Sequence, residues 1–218
     1  MRFQPVTSWD SLARRVDELG FLSLCRSRVP GLSVEELTPP EYWFVKGVDG
    51  PWEWRQQAID RFAYAKLLGR NAGFVSHEWF PALCNFRRDG LDFDARYEDG
   101  RIPQMGKRVY ELIAEHSRST PELKSLVSGS ESGYERAITA LQMSTDVLIV
   151  GFDAKIDSLG RPYGWGVSRY DLADRMLGEL TRSAFDEDPQ DSFRRMKSHI
   201  LSLCPEADPK VVEKLLRG

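Results

Sequence analysis

The chain lacks most of the signatures that assign a chemistry at sight. Its 218 residues include 3 cysteines and 3 histidines. Cys25, Cys84 and Cys204 are odd in number and far apart. They form no CxxC pair, so neither a disulfide framework nor a zinc-finger spacing follows, and reduced thiols in a core are expected. His77, His116 and His199 share no ligand spacing, so no metal is expected. No GxGxxG, P-loop or GxSxG occurs. The stretch from Gly160 to Gly166 lacks the lysine and the following helix that a phosphate cradle needs. No cofactor is therefore expected. The longest apolar run, Val147–Val150, is far short of a membrane span, and the opening MRFQPVTSWD has no apolar signal segment. The expectation is a cytoplasmic protein that does not enter membranes.

A basic excess is missing too. The formal net charge is −3 and the pI about 5.7. Any nucleic-acid site must then be a local patch on a mildly acidic surface. What the chain has in quantity is aromatic side chains: 6 Trp, 7 Tyr and 11 Phe. With 41% hydrophobic and 29% charged residues, this composition supplies a packed core and argues against disorder.

The clearest pattern runs from Lys107 to Tyr170. Val109, Leu112 and Ile113 share one face of a helix over Lys107–His116. Thr120, Pro121 and Glu122 start a short helix whose Leu123, Leu126 and Val127 face inward. Ser128-Gly129-Ser130 is a turn. Ser130 or Ser132 caps a third helix with Tyr134, Ala137, Ile138 and Leu141 as its stripe. Asp146–Asp153 reads as a strand, Ser158–Pro162 as a turn, and Tyr163–Ser168 as the returning strand. Leu172, Met176, Leu177 and Leu180 begin another helix. The order predicts a winged helix-turn-helix whose wing is a short β-hairpin.

Before this unit, Ser8 caps a helix to Leu19, and Gly20 stops it. Phe21–Leu24 is a strand or an extended connector. Pro39-Pro40 opens a new element, and Trp52–Gln57 is helical or extended. Phe62–Leu68 reads as a strand, Gly69–Gly73 as its turn, and Phe74–Ser76 as the return. Ser76 then caps a helix from His77 to Asp89, and Asp92–Gly106 is a polar loop or short helix. Behind the unit, Asp188-Pro189 and Asp208-Pro209 each open a helix by the same cap-then-proline signature. The predicted class is α+β and mostly helical. The predicted divisions are 1–104, an aromatic-rich N-terminal region; 105–177, the winged helix; and 178–218, a C-terminal helical pair.

The candidate chemistry is sparse. Between Ser130 and Trp165, Glu131, Glu135, Asp146, Asp153 and Asp157 outnumber Arg136, Lys155 and Arg161. That imbalance opposes phosphate contact by the third helix and wing, since each phosphate wants a cation. Other cations, Arg55, Arg61, Lys66 and Arg70, fall near the aromatic cluster and the first hairpin, and Arg87-Arg88 ends the next helix. Arginines beside tryptophans suit a single-strand or flipped-base platform, and also an ordinary half-buried surface. Trp52, Trp54 and Trp79 are pocket candidates or core residues. Glu53, Asp60 and Glu78 are carboxylates available for acid or base work, and His77 with Glu78 is a possible acid/base pair or a plain helix start.

Several stretches together carry a family likeness. They are Gly50–Arg55, Ala63–Leu67, Gly73–Ser76 with Trp79, Leu141-Gln142, Tyr163–Trp165, and Leu203, Pro205 and Lys214–Leu216. Through them most of the chain resembles the bacterial AlkZ-related group. That group is akin to AlkZ/YcaQ-type winged-helix glycosylases, which remove alkylated bases from DNA and unhook crosslinks. The resemblance implies a winged-helix architecture and duplex or damaged DNA as partner. Those enzymes carry a Gln-X-Gln or Gln-X-Asp motif. Here none of Gln4, Gln56, Gln57, Gln104, Gln142 and Gln190 has Gln or Asp two residues on, so the resemblance carries over no catalytic residue. Three functions stay open: a nucleic-acid-binding protein in a repair setting, a glycosylase using a non-standard carboxylate or amide, and a protein-interaction or small-ligand module on the same scaffold.

Overall fold

A computed structural model describes residues 4–45, 47–127 and 130–218. About half of the residues are helical, and two small antiparallel sheets complete an α+β architecture.

Helix α1 (Trp9–Leu19) starts where Ser8 Oγ accepts from Ser11 N at 3.2 Å and ends at Gly20, whose φ is 74°. A side chain at Gly20 would also meet Trp79, with its Cβ 2.4 Å from Trp79 Cδ1. Glycine is thus required there twice, for the left-handed turn and for the approach of the indole. Strand β1 (Phe21–Ser23) follows, then the short helix α2 (Val34–Leu37), a 3₁₀ turn at Pro40–Tyr42, and α3 (Pro51–Ala58). Strands β2 (Ala63–Leu68) and β3 (Asn71–Val75) form a hairpin, and β3 also pairs with β1, giving the order β1-β3-β2.

Two readings of this half are corrected. The hairpin turn is only Gly69-Arg70, because Asn71 already pairs with Leu68. Ser76 does not cap a helix at His77. Its carbonyl accepts from Phe80 N at 2.9 Å, so residues 77–79 form a turn and α4 runs Phe80–Arg88 with Pro81 in its first turn. Proline at that point needs no amide partner, which is why the helix can begin there without a side-chain cap.

The polar stretch contains α5 (Phe93–Glu98), capped by Asp92. Helix α6 (Gln104–Glu115) begins three residues earlier than its apolar spacing suggests, just after Pro103. Strand β4 (Arg118–Ser119) leads into α7 (Thr120–Leu126). The cap of α7 is Ser119 and not Thr120, with Ser119 N donating to Glu122 Oε2 at 2.6 Å. Ser128 and Gly129 of the expected turn lie outside the described residues; Ser130 caps α8 (Glu131–Met143). Strands β5 (Val147–Ile156) and β6 (Pro162–Leu172) are longer than their apolar cores and form a sheet ordered β4-β6-β5.

The helix expected at Leu172 is short. Helix α9 (Ala173–Leu177) stops at Gly178, φ 55°, and passes into a 3₁₀ turn over Gly178–Arg182. Helices α10 (Pro189–Leu203) and α11 (Pro209–Arg217) begin as their Asp-Pro signatures predict. Asp188 accepts from Gln190 N at 2.6 Å and Asp208 from Lys210 N at 2.8 Å. A single hydrophobic cluster runs from Val6 to Leu216 and draws on both sheets. Cys84 and Cys204 are buried in it, but Cys25 is exposed, because it follows β1 out of the core. Among the described residues, no helix is long and apolar enough to cross a membrane.

Candidate nucleic-acid interface

The site begins with an irregularity. The β2–β3 register shifts between Ala65 and Leu68, so Lys66 and Leu67 bulge out of the ladder and their backbone groups need other partners. Gln142, fully buried on α8, supplies one: its Oε1 accepts from Lys66 N at 3.1 Å, while its Nε2 donates to Ile138 O at 3.1 Å. Lys66 Nζ adds a bond to Thr139 Oγ1 at 3.2 Å. Arg87, in the last turn of α4, supplies the other, donating through Nη2 to Leu67 O at 2.7 Å. The bulge therefore bolts the first sheet to α8 and α4 at one point.

Arg87 and Arg88 are sequence neighbours with different surroundings. Arg88 is 2% exposed, donates to Thr145 O at 2.7 Å and to Asp174 at 2.8 Å, and lies 3.6 Å from Asp146. Asp146 is also gripped by both Nη atoms of Arg96, at 2.5 and 3.2 Å. Two arginines thus face two aspartates. Burial works against the Arg88 charge but is outweighed by Cys84, Asp146 and Asp174, so its pKa rises. Burial would raise the Asp174 carboxyl, yet the Arg88 guanidinium beside it holds it below its ordinary value.

Arg87 has no such balance. Its guanidinium donates to four carbonyls: Leu67 at 2.7 Å, Met143 at 2.5 Å, Leu216 at 2.9 Å and Leu215 at 3.3 Å. Among the described residues, no carboxylate sits at salt-bridge distance from it. Burial pushes its pKa down to about 10, which still leaves a cation at neutral pH.

This uncompensated cation stands where two concavities meet. One, about 490 Å³, runs between α6, α8 and the segment before α6, lined by Arg96, Arg101, Ile102, Met105 and Ala137 among others. The second, about 560 Å³, opens toward Arg70, Phe86, Met143 and Arg217. Arg87, Arg136, Ala140 and Ser144 line both. Among the described residues, no Asp or Glu lines either. Arg217 lies over the Phe193 ring at 4.7 Å, and among the described residues Arg136 reaches only Ser132 O, at 3.3 Å.

The acids counted against this face are turned away from it or already engaged. Glu131 and Glu135 lie a turn apart on the other side of α8, bridging Lys124 at 2.7 and 3.0 Å. Asp146 is inside the buried network. Asp153 holds Arg169 at 2.7 Å. Asp157 closes the hairpin turn, accepting from Leu159 N at 2.8 Å and Arg161 N at 2.9 Å. Helix α8 is therefore two-sided, acidic and neutralised toward α7, arginine-lined toward α4 and α11.

The scan against family models matches residues 6–217 to AlkZ related. The chain belongs to the AlkZ-related family. No curated protein and no solved structure matches it.

The structure brings together two groups of the expected residues in this AlkZ-related chain. Arg70 and Arg136 share the arginine groove. Arg55, Trp52 and Glu53 gather instead beside the β5–β6 hairpin. There the Arg55 guanidinium is sandwiched between Trp52 at 4.0 Å and Phe152 at 3.9 Å, and Trp52 packs against Trp165 at 5.6 Å between centroids. The other residues are dispersed. Arg61 pairs with Asp17, Arg161 with Asp157, and Lys155 is exposed on the hairpin. Trp54 is buried against Tyr42, and Trp79 stacks on His199 at 4.2 Å; neither lines the concavity at Trp52.

Glu53 caps α3, its Oε2 accepting from Gly50 N at 2.9 Å, and Asp60 and Glu78 are exposed. Burial lowers the pKa of the half-buried His77. Sequence reasoning passed over Arg101 and Arg217 and saw Arg87 only as a helix end. No local signal marks them, because their neighbours come from distant parts of the chain. Among the described residues, no group of three or more His, Cys, Asp or Glu is arranged to hold a metal.

Proposed function

We propose that residues 105–177 act as a winged helix and that this AlkZ-related protein binds duplex DNA along the arginine side of α8. The reading extends to a cytoplasmic, repair-related role, in which duplexes carrying an alkylated base or a branch bind at least as well as intact ones. The observation that carries it is the carboxylate-free groove, in which Arg70, Arg87, Arg136 and Arg217 concentrate positive charge on a chain of net charge −3. Low-dielectric walls focus such a field, and a phosphate backbone is the polyanion that suits it. The order α6, β4, α7, α8, β5, β6 supports the architecture: a helix pair presents α8, and a hairpin stands beside it.

The test is fluorescence anisotropy of a labelled 20-base-pair duplex across a salt series. Each phosphate contact contributes a slope of about −0.9 in log affinity against log salt, so the exposed arginines predict a slope of roughly −2 to −3. Changing Arg70, Arg136 and Arg217 together to alanine removes that slope. No binding at low salt overturns the proposal. A glycosylase working through Glu53, Asp60 or Glu78 draws no support from their positions, since none of them lines this groove.

A further inference from the structure

The concavity between α6 and α8 is more than a stretch of DNA-facing surface. Its walls are mostly apolar and its shape comes from small residues: Gly133, Ala137 and Ala140 on α8 face Met105 and Gly106 of α6 and Ile102 ahead of it. Where two packed helices carry Gly and Ala at facing positions, nothing fills the space between their backbones, and here that leaves about 490 Å³. This is within the usual range for small-molecule sites, which combine apolar walls with a few convergent polar groups.

The polar groups lie at one end and are all cationic. Arg96 and Arg101 already hold carboxylates, Asp146 for the first and Asp89 and Asp99 for the second. Among the described residues, Arg136 and Arg87 hold none. A guanidinium has five N–H donors, and four bonds from Arg87 go to carbonyls. One Nη1–H is left without a partner among the described residues, on a side chain that lines the concavity.

We propose that this slot binds a small organic anion with an apolar body, its rings or chain between α6 and α8 and its carboxylate, sulfonate or phosphate on Arg136 and the free Nη1–H of Arg87. The apolar walls select the body, and the unpaired cations select the head. A neutral molecule of the same shape leaves those cations unmatched, and a larger polyanion cannot enter between the helices. The slot does not depend on DNA binding, although Arg87, Arg136, Ala140 and Ser144 border both surfaces.

The test uses 8-anilinonaphthalene-1-sulfonate as the anionic probe and N-phenyl-1-naphthylamine as its uncharged counterpart, each titrated by fluorescence into the full chain. The expected result is one saturable site for the sulfonate per chain. R136E, at an exposed position, weakens the sulfonate by about tenfold or more, the worth of a charge-assisted hydrogen bond, and leaves the amine within about twofold. A137F, which fills the slot without touching its cations, abolishes both. Should A137F fail to fold by circular dichroism, R136E alone still decides. Equal weakening of both probes by R136E overturns the proposal. So does an undiminished sulfonate signal in folded A137F, which would place the dye on the exposed Phe44 and Trp165 rings.

Discussion

Two arginine clusters lie back to back at the end of α4, and only one is electrically balanced. On one side Arg88 and Arg96 meet Asp146 and Asp174 in a closed set of two cations and two anions. On the other, Arg87 joins Arg70, Arg136 and Arg217 with carbonyls and rings for partners and no carboxylate on the walls. Successive residues on a helix point about 100° apart, so one step in sequence separates a structural lock from a surface that attracts anions. A buried guanidinium can be kept charged either by carboxylates or by backbone oxygens. Only the second way leaves its net charge for a partner.

Breaking the balanced side has the largest expected effect. Asp146→Ala strands Arg88 and Arg96 in the interior and costs about 3–5 kcal/mol, visible as a large drop in the urea midpoint. Gln142→Leu follows. It leaves Lys66 N without an acceptor at the bulge and costs about 1–3 kcal/mol, measured in the same way.

The balanced side also has an acid limit. The Asp174 pKa is depressed in the folded state, so its stabilisation is present above the ordinary carboxylate value of 3.8 and is lost as pH falls through the lower folded value. The stability gap between the parent chain and Asp174→Asn therefore narrows on acidification from about pH 5 downward; a gap independent of pH would rule this coupling out.

On the unbalanced side the expectation reverses: Arg136→Ala shifts stability by no more than about 0.5 kcal/mol but reduces the salt slope of DNA binding by about one. Smallest of all is Glu131→Gln on the far side of α8, where the exposed bridge to Lys124 is screened by solvent: the urea midpoint is unchanged and DNA affinity stays level or rises slightly.

Much of the scaffold was legible in the sequence because its signals are local. Ser8 and Gly20 bound α1, and Asp188-Pro189 and Asp208-Pro209 open α10 and α11, since a cap and its target lie within a few residues. The helix and strand order through Lys107–Tyr170 came from periodicity together with caps and turn residues, and only the two-residue β4 had no signal. Ser76 misled because a serine before a polar stretch looks like a cap, whereas here Pro81 in the first turn set the start. The site was less legible. A formal charge count over α8 and the hairpin made that face acidic, because sequence shows sign but not direction, and Glu131 and Glu135 turn away from Arg136. The bulge at Lys66-Leu67 has no signature of its own. Arg87 gains its meaning from Met143, Leu215 and Leu216, far along the chain.

That last arrangement orders events during synthesis. β2, α4 and α8 all leave the ribosome well before α11, so Arg87 can engage Leu67 and Met143 early but waits for the carbonyls of Leu215 and Leu216. The arginine-lined surface thus takes its final form only when α11 packs and adds Val212, Leu215 and Leu216 to the hydrophobic cluster.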